Sequence, residues 1–222
     1  MDPLAVQIGG WLFIDGAMML WLGWVLLPAR LGTFFEVQDF ARVLARFRLW
    51  IWLFRLHLFG YVVTAMALVA LATLLAGSGA RIVVWPAVAV AGAGLIVSAL
   101  AAAFYYHFGA WGALDMQGKS AQAVQEFVSS LRVSTEYVTC LVRFGRVFFG
   151  FGQFALALGL FLGGATPAWV AISAAALGIA AMAITMGFPD NLEYYHPVFH
   201  LTALWLLGTG IAILGMNPGL MG

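Results

Sequence analysis

The chain has 222 residues, 64% of them hydrophobic and 9% charged, and its 10 basic and 9 acidic side chains leave a formal net charge of +1. Its mean hydropathy is +1.00. Soluble domains carry about 25% charged residues, so this composition cannot build a polar shell in water, and a near-neutral chain offers no basic surface for nucleic acid.

A lipid bilayer is the solvent that fits. In hydrocarbon a spanning backbone must satisfy its own hydrogen bonds, as helices or as a closed barrel. The sequence lacks the apolar–polar alternation of barrel strands and has instead unbroken apolar runs, each able to cover about 30 Å of hydrocarbon with about 20 helical residues. A single cysteine, Cys140, excludes an internal disulfide and a multi-thiolate metal site.

The first run, 8–28, reads as a span rather than a cleaved leader, because no Lys or Arg precedes it and no small-residue cleavage site follows. Thr33-x-x-Glu36 then has the spacing of a capping box, and Phe40, Val43, Leu44 and Phe47 recur at helical spacing opposite Asp39, Arg42 and Arg46. This predicts an amphipathic helix over 34–48 lying on the membrane surface. Spans at 50–76 and 83–107 follow, joined by the break Gly77-Ser78-Gly79. Val124, Phe127, Val128 and Leu131 set against Gln125, Ser129 and Arg132 predict a second interfacial helix over 120–133. The last spans are 137–164, 167–188 and 197–216, the first two joined through Gly163 to Pro167. The fold class is therefore an all-α integral membrane bundle of six transmembrane helices, a single domain over 1–222, with two amphipathic interfacial helices on one side. Gly159-x-x-x-Gly163 and the alanine-rich runs 87–103 and 171–183 are read as close helix packing within it.

Charge sets the orientation. The connections after the first, third and fifth spans, with the adjoining helix ends, hold Arg30, Arg42, Arg46, Arg48, Arg55, Lys119, Arg132, Arg143 and Arg146, against Arg81 alone on the other side. The positive-inside rule puts that side in the cytoplasm of a bacterial-type inner membrane, with both termini outside.

All four histidines fall at the basic end. His57, between Leu56 and Leu58, lies about two turns inside the second span, where an ionisable group is expected to face the bundle interior with a partner. His107 closes the third span. His196 and His200 open the sixth with i, i+4 spacing, which puts both rings on one face about 6 Å apart, and Pro197 suits the first helical position with His196 as cap. Imidazoles of this kind are ligands for haem iron, zinc or copper. The carboxylates Glu136 and Glu193 lie at the same end to ligate or orient them, and Tyr105, Tyr106, Tyr194 and Tyr195 read as an interfacial aromatic belt. Arg143 and Arg146, three residues apart, either anchor the topology or bind haem propionates or lipid phosphates.

Three functions compete. In the first, a pair such as His57 with His107 or with His200 holds haem b, or the cluster holds a transition metal, in a respiratory-type redox subunit that interacts with quinol. Arg55-Leu56-His57-Leu58-Phe59-Gly60 resembles the haem-bearing helices of respiratory oxidases over these six residues, and the resemblance implies that Gly60 makes room for the macrocycle. In the second, the chain is a transporter or channel that uses the intramembrane acid Asp15, with Gln153 at mid-span in the fourth helix. In the third, a cytoplasmic histidine–carboxylate site makes it a membrane metalloenzyme, although no His-Glu-x-x-His or Gly-x-Ser-x-Gly pattern is present. The partners expected are the bilayer and either other subunits of a membrane complex or further copies of this chain.

Overall fold

Apolar runs this long leave the helix as the way to pair backbone groups in hydrocarbon, and in the computed structural model every element is helical. The structure describes residues 3–77, 79–188 and 192–216, with backbone alone at 192 and 193. In chain order the elements are α1 (Pro3–Val25), α2 (Val37–Ala45), α3 (Phe47–Leu74), α4 (Arg81–Tyr106), a π-helical turn (His107–Trp111), α5 (Gly112–Asp115), α6 (Ala121–Ser130), α7 (Arg132–Gly163), α8 (Ala168–Gly187) and α9 (Leu192–Leu214). Six helices, namely α1, α3, α4 with its extension through Asp115, α7, α8 and α9, are long and apolar enough to cross a membrane. Their outer surface agrees: Trp52, Phe59, Leu100 and Phe161 each expose more than 60% of their area, which water would not tolerate as a continuous surface.

The six expected spans are all present, with shifted ends. α7 begins five residues earlier than hydropathy suggested because polar residues there still suit a helix: Arg132 pairs with Glu136 at 3.7 Å, and the Thr135 hydroxyl donates to the Leu131 carbonyl. α9 likewise begins before Pro197, so the proline lies inside the helix and His196 is a helical residue rather than a cap. That early position costs a single ladder hydrogen bond.

Each spanning helix packs on its neighbours in chain order, and α9 closes on α1, so the six form a ring. Small residues set the spacing. α4 and α7 meet along Gly145, Gly152 and Gly159, which recur every seven residues: a Cβ on Gly152 would lie 2.4 Å from the Ala91 nitrogen, and one on Gly145 would lie 3.0 Å from the Gly94 oxygen. Gly159 faces Val84 of the same chain, which makes it a packing residue of α7 on α4. α1 and α3 meet in the same way, through Gly16 on Thr64, Gly23 on His57 and Gly60 on Leu20.

The ring has two different halves. Away from the basic residues it is filled by an apolar core that includes Phe13, Leu68, Leu71, Leu156, Leu160, Leu206 and Ile213. At the basic end a second cluster gathers around Trp50, which is fully buried and donates through Nε1 to the Ala29 carbonyl at 2.8 Å, tying the segment after α1 to α3. Trp50→Phe is expected to leave that carbonyl unpaired and to cost about 1–3 kcal/mol, read as a lower midpoint for unfolding in detergent.

α2 and α6, shorter than the interfacial helices predicted, belong to this end. The apolar face of α2 is turned toward the protein: Phe40 and Val43 are buried, Phe40 stacks on Phe35, and the helix packs on the π-helical turn, α5 and α6. Its N-cap is Glu36, whose backbone N–H donates to the Asp39 carboxylate at 2.9 Å. The capping box thus runs from Glu36 to Asp39 rather than from Thr33 to Glu36, and Thr33 instead offers its carbonyl to the Tyr105 hydroxyl.

Burial pushes the Asp39 carboxyl above its ordinary value; the Glu36 N–H opposes this, the Glu36 charge adds to it, and Arg42 at 3.5 Å opposes it. A folded-state pKa above the unfolded one means that α2 docks best with Asp39 protonated and loosens as pH rises through the raised value. Amide protection factors in α2 are expected to fall across that rise, and Asp39→Asn to flatten the dependence; wild-type protection that ignores pH would contradict this account.

Candidate functional site: a cavity at the basic end

Between the two halves of the ring lies a cavity of about 180 Å³, walled by five of the six spans and by the segment after α1. α3 contributes Phe54, His57 and Tyr61; α4 contributes Leu95, Ser98 and Tyr105; α7 contributes Thr139, Val142, Arg146 and Phe149; α9 contributes Tyr195, His196, Phe199 and Thr202; Trp24 and Thr33 complete it. An apolar cavity of about 150 Å³ holds a benzene ring, so the space suits one ring-sized molecule. Its aromatic walls enclose a small set of polar groups, as binding pockets generally do. Among the described residues lining it there is one cation, Arg146, and no carboxylate.

His57 is positioned by packing and then by a hydrogen bond. Gly23 brings α1 against the backbone of His57, and the ring Nδ1 lies 2.9 Å from the Leu20 carbonyl. A carbonyl can only accept, so Nδ1 carries the proton and Nε2 keeps its lone pair for a ligand. Trp24 stands against His57, with ring centroids 5.6 Å apart, and against His196 at 6.3 Å. Tyr61 meets the His57 ring edge-on at 5.0 Å, and Phe199 closes it at 6.2 Å. Both His57 and His196 line the cavity.

The other two histidines do not join them there. His200 is one turn from His196, with ring centroids 6.2 Å apart as the spacing predicted, but its Nδ1 accepts from Trp21 Nε1 at 2.9 Å and it lies outside the lining. His107 opens the π-helical turn and is exposed, against Phe108. The pairs of His57 with His107 and with His200 are therefore not brought together around one centre. No group of three or more His, Cys, Asp or Glu side chains that could hold a metal ion occurs among the described residues. Gly60 packs against α1, since a Cβ there would lie 2.6 Å from the Leu20 nitrogen, so its place in the structure is that of a helix-packing residue.

The arginines diverge. Arg143 donates to the Thr185 carbonyl at 2.6 Å and ties α7 to α8, whereas Arg146 sits over the Tyr195 ring at 4.2 Å in the cavity wall. Tyr61, Tyr105 and Tyr195 likewise line the cavity, and Tyr106 accepts from Arg55 Nε at 2.7 Å. Of the expected belt, Tyr194 is exposed as a belt residue would be. Glu136 is exposed and paired with Arg132. The side chain of Glu193 lies outside the described residues.

Asp15 is exposed on the outer side of α1, away from the cavity. Gln153 is buried and neither end of its amide has a hydrogen-bond partner. α7 turns Gly152 to α4 and Gly150 to α8, and Gln153 lies between those directions, one turn below Phe149 and two below Arg146.

The chain matches no protein-family model, no curated protein and no solved structure, so the function of the cavity is argued from its own side chains.

Proposed function

We propose that the chain is a quinone-interacting subunit of a membrane redox system, and that the cavity at its basic end binds the ring of a quinone-type molecule. The observation that carries this reading is a cavity lined by His57, whose Nδ1 is held at the Leu20 carbonyl so that Nε2 is its remaining acceptor, and by Arg146, between aromatic walls. A quinone offers carbonyl oxygens to donors such as Arg146, Tyr61 and Ser98; the quinol offers a hydroxyl proton to His57 Nε2. The apolar ring lies against Trp24, Phe149 and Phe199, and the apolar tail of such a molecule partitions into the bilayer around the bundle. Oxidation of the quinol to the quinone releases two electrons and two protons: His57 Nε2 takes one proton, the other passes to water at the basic end, and both electrons pass to a metal redox centre carried by another subunit of the complex.

In this reading the basic end faces the cytoplasm, as the charge distribution implies, and α2 and α6 lie at that membrane surface beside the cavity.

The test is direct. The protein purified in detergent is titrated with a short-tailed benzoquinone by calorimetry. Saturable binding at one site per chain is expected, with Arg146→Gln weakening it about 10- to 100-fold, the value of one charge-assisted hydrogen bond. A visible spectrum is recorded before and after dithionite in the same preparation. No saturable binding sinks the proposal, and a Soret band lost in His57→Ala would return the site to haem.

A further inference from the structure

The wall of the cavity is helical except on one side. Residues 26–36 link α1 to α2 without helical structure, and Leu27, Leu31, Gly32 and Thr33 of this segment line the space. Two fixed points bound its middle. At one, the Ala29 carbonyl accepts from Trp50, whose ring is fully buried and stacked on Phe54 with centroids 4.8 Å apart. At the other, Phe35 is buried against Phe40 at 6.0 Å and Phe104 at 6.1 Å. Between them Leu31 is buried, Gly32 is exposed, and the Thr33 carbonyl accepts from the Tyr105 hydroxyl at 3.0 Å. Gly32 is the one exposed residue among the described residues that line the cavity. A Cβ there would meet nothing nearer than the Phe34 carbonyl at 3.4 Å, so one thickness of backbone stands between the cavity and the surface at the basic end.

We propose that residues 30–34 are the door of this cavity, hinged at Ala29 and Phe35 and held shut by the hydrogen bond from Tyr105 to Thr33. The other ways in are the seams between spanning helices. Opening one of those means parting backbones that already touch, as at Gly23 on His57, Gly60 on Leu20 and Gly94 on Phe149, and a packed helix moves as a unit rather than residue by residue. Opening the door breaks one neutral hydrogen bond between part-buried groups, and water at the basic end satisfies both once they separate. Hinges are a few loop residues that absorb the change in backbone angles, and Gly32, at the centre of the door, has the widest choice of them.

The test uses single cysteines in a Cys140→Ser background with a maleimide as the probe, so it reads access without any quinone and can fail separately from the proposed function. Ala203→Cys marks the deep part of the cavity, since Ala203 is buried, lines the space and lies about two turns beyond His196 along α9. Leu156→Cys marks the core beyond it. In oriented vesicles a membrane-impermeant maleimide added at the basic side is expected to label Ala203→Cys slowly and Leu156→Cys more slowly still. Tyr105→Phe keeps the ring and removes the latch. It is expected to speed labelling of Ala203→Cys about 2- to 10-fold, the worth of one neutral hydrogen bond, and to leave Leu156→Cys unchanged. Equal rates with and without the Tyr105 hydroxyl overturn the proposal, and so does acceleration at both cysteines, which marks a general loosening of the bundle. A lipid-soluble maleimide of equal thiol reactivity that labels Ala203→Cys far faster than the impermeant one, with the latch intact, also overturns it in favour of entry from the bilayer between helices. That comparison needs no change at Tyr105 and decides the matter even if Tyr105→Phe fails to fold.

Discussion

Gly152→Val is expected to be the most damaging single substitution in the protein. The first carbon of any side chain there would lie 2.4 Å from the Ala91 nitrogen and 2.7 Å from the Ala87 oxygen, and both are backbone atoms of α4 that no rotamer change can move. Overpacking of a tight core costs about 1–3 kcal/mol when side chains can give way, and more when backbones must separate. α4 would be levered off α7, opening the wall that carries Ser98 on one side and Arg146 on the other. The measurement is the yield of monodisperse protein and its thermal midpoint in detergent. Gly92→Ala is the control: nothing lies within 4 Å of its Cβ position, so replacing a helix-interior glycine there is expected to add about 0.5–1 kcal/mol of stability. A neutral Gly152→Val would refute the helix spacing described above.

The second large effect concerns His57 and separates packing from binding. His57→Ala removes the donor to the Leu20 carbonyl and the Nε2 acceptor together. The Leu20 carbonyl keeps its helical partner within α1, so protein stability is expected to drop by about 0.5–1.5 kcal/mol, the net worth of one hydrogen bond, and quinone binding to be lost. In His57→Asn the side-chain amide can still donate to Leu20, while nothing replaces Nε2. Stability is then expected to return toward wild type with binding still lost. If His57→Asn binds as tightly as wild type, the Nε2 lone pair has no part in the site and the quinone reading fails with it.

The architecture was legible in the sequence because burial in lipid leaves a coarse signal: about 20 apolar residues per crossing. Depth was legible too. His57 between leucines was expected to face inward, and it does. Rotation about the helix axis was harder to read, because a residue turns through about 100° at each step. Arg143 and Arg146 stand three apart, which left them on one rough face, yet that offset is enough to send one to the Thr185 carbonyl and the other to Tyr195. Asp15 and Phe13, two residues apart, point to opposite sides of α1, and only the packing of Gly10 and Gly16 reveals which is inside. The seven-residue recurrence of Gly145, Gly152 and Gly159 was present in the sequence as a signal for the α4–α7 contact, and it is more regular than the Gly159-x-x-x-Gly163 pair that stood out first. The cavity itself was not legible, since α9 joins α3, α4 and α7 around it only once the ring has closed.

The half of the ring beyond the cavity is filled by apolar side chains from all six spanning helices, among them Phe13, Leu71, Val84, Leu156, Val170 and Ile213. A molecule bound in the cavity is therefore separated from the far end of the bundle by that core, and its exchange is expected on the basic side of it. Occupancy is then expected to follow the supply of that molecule at the basic side and to stay unchanged when the opposite side alone is loaded.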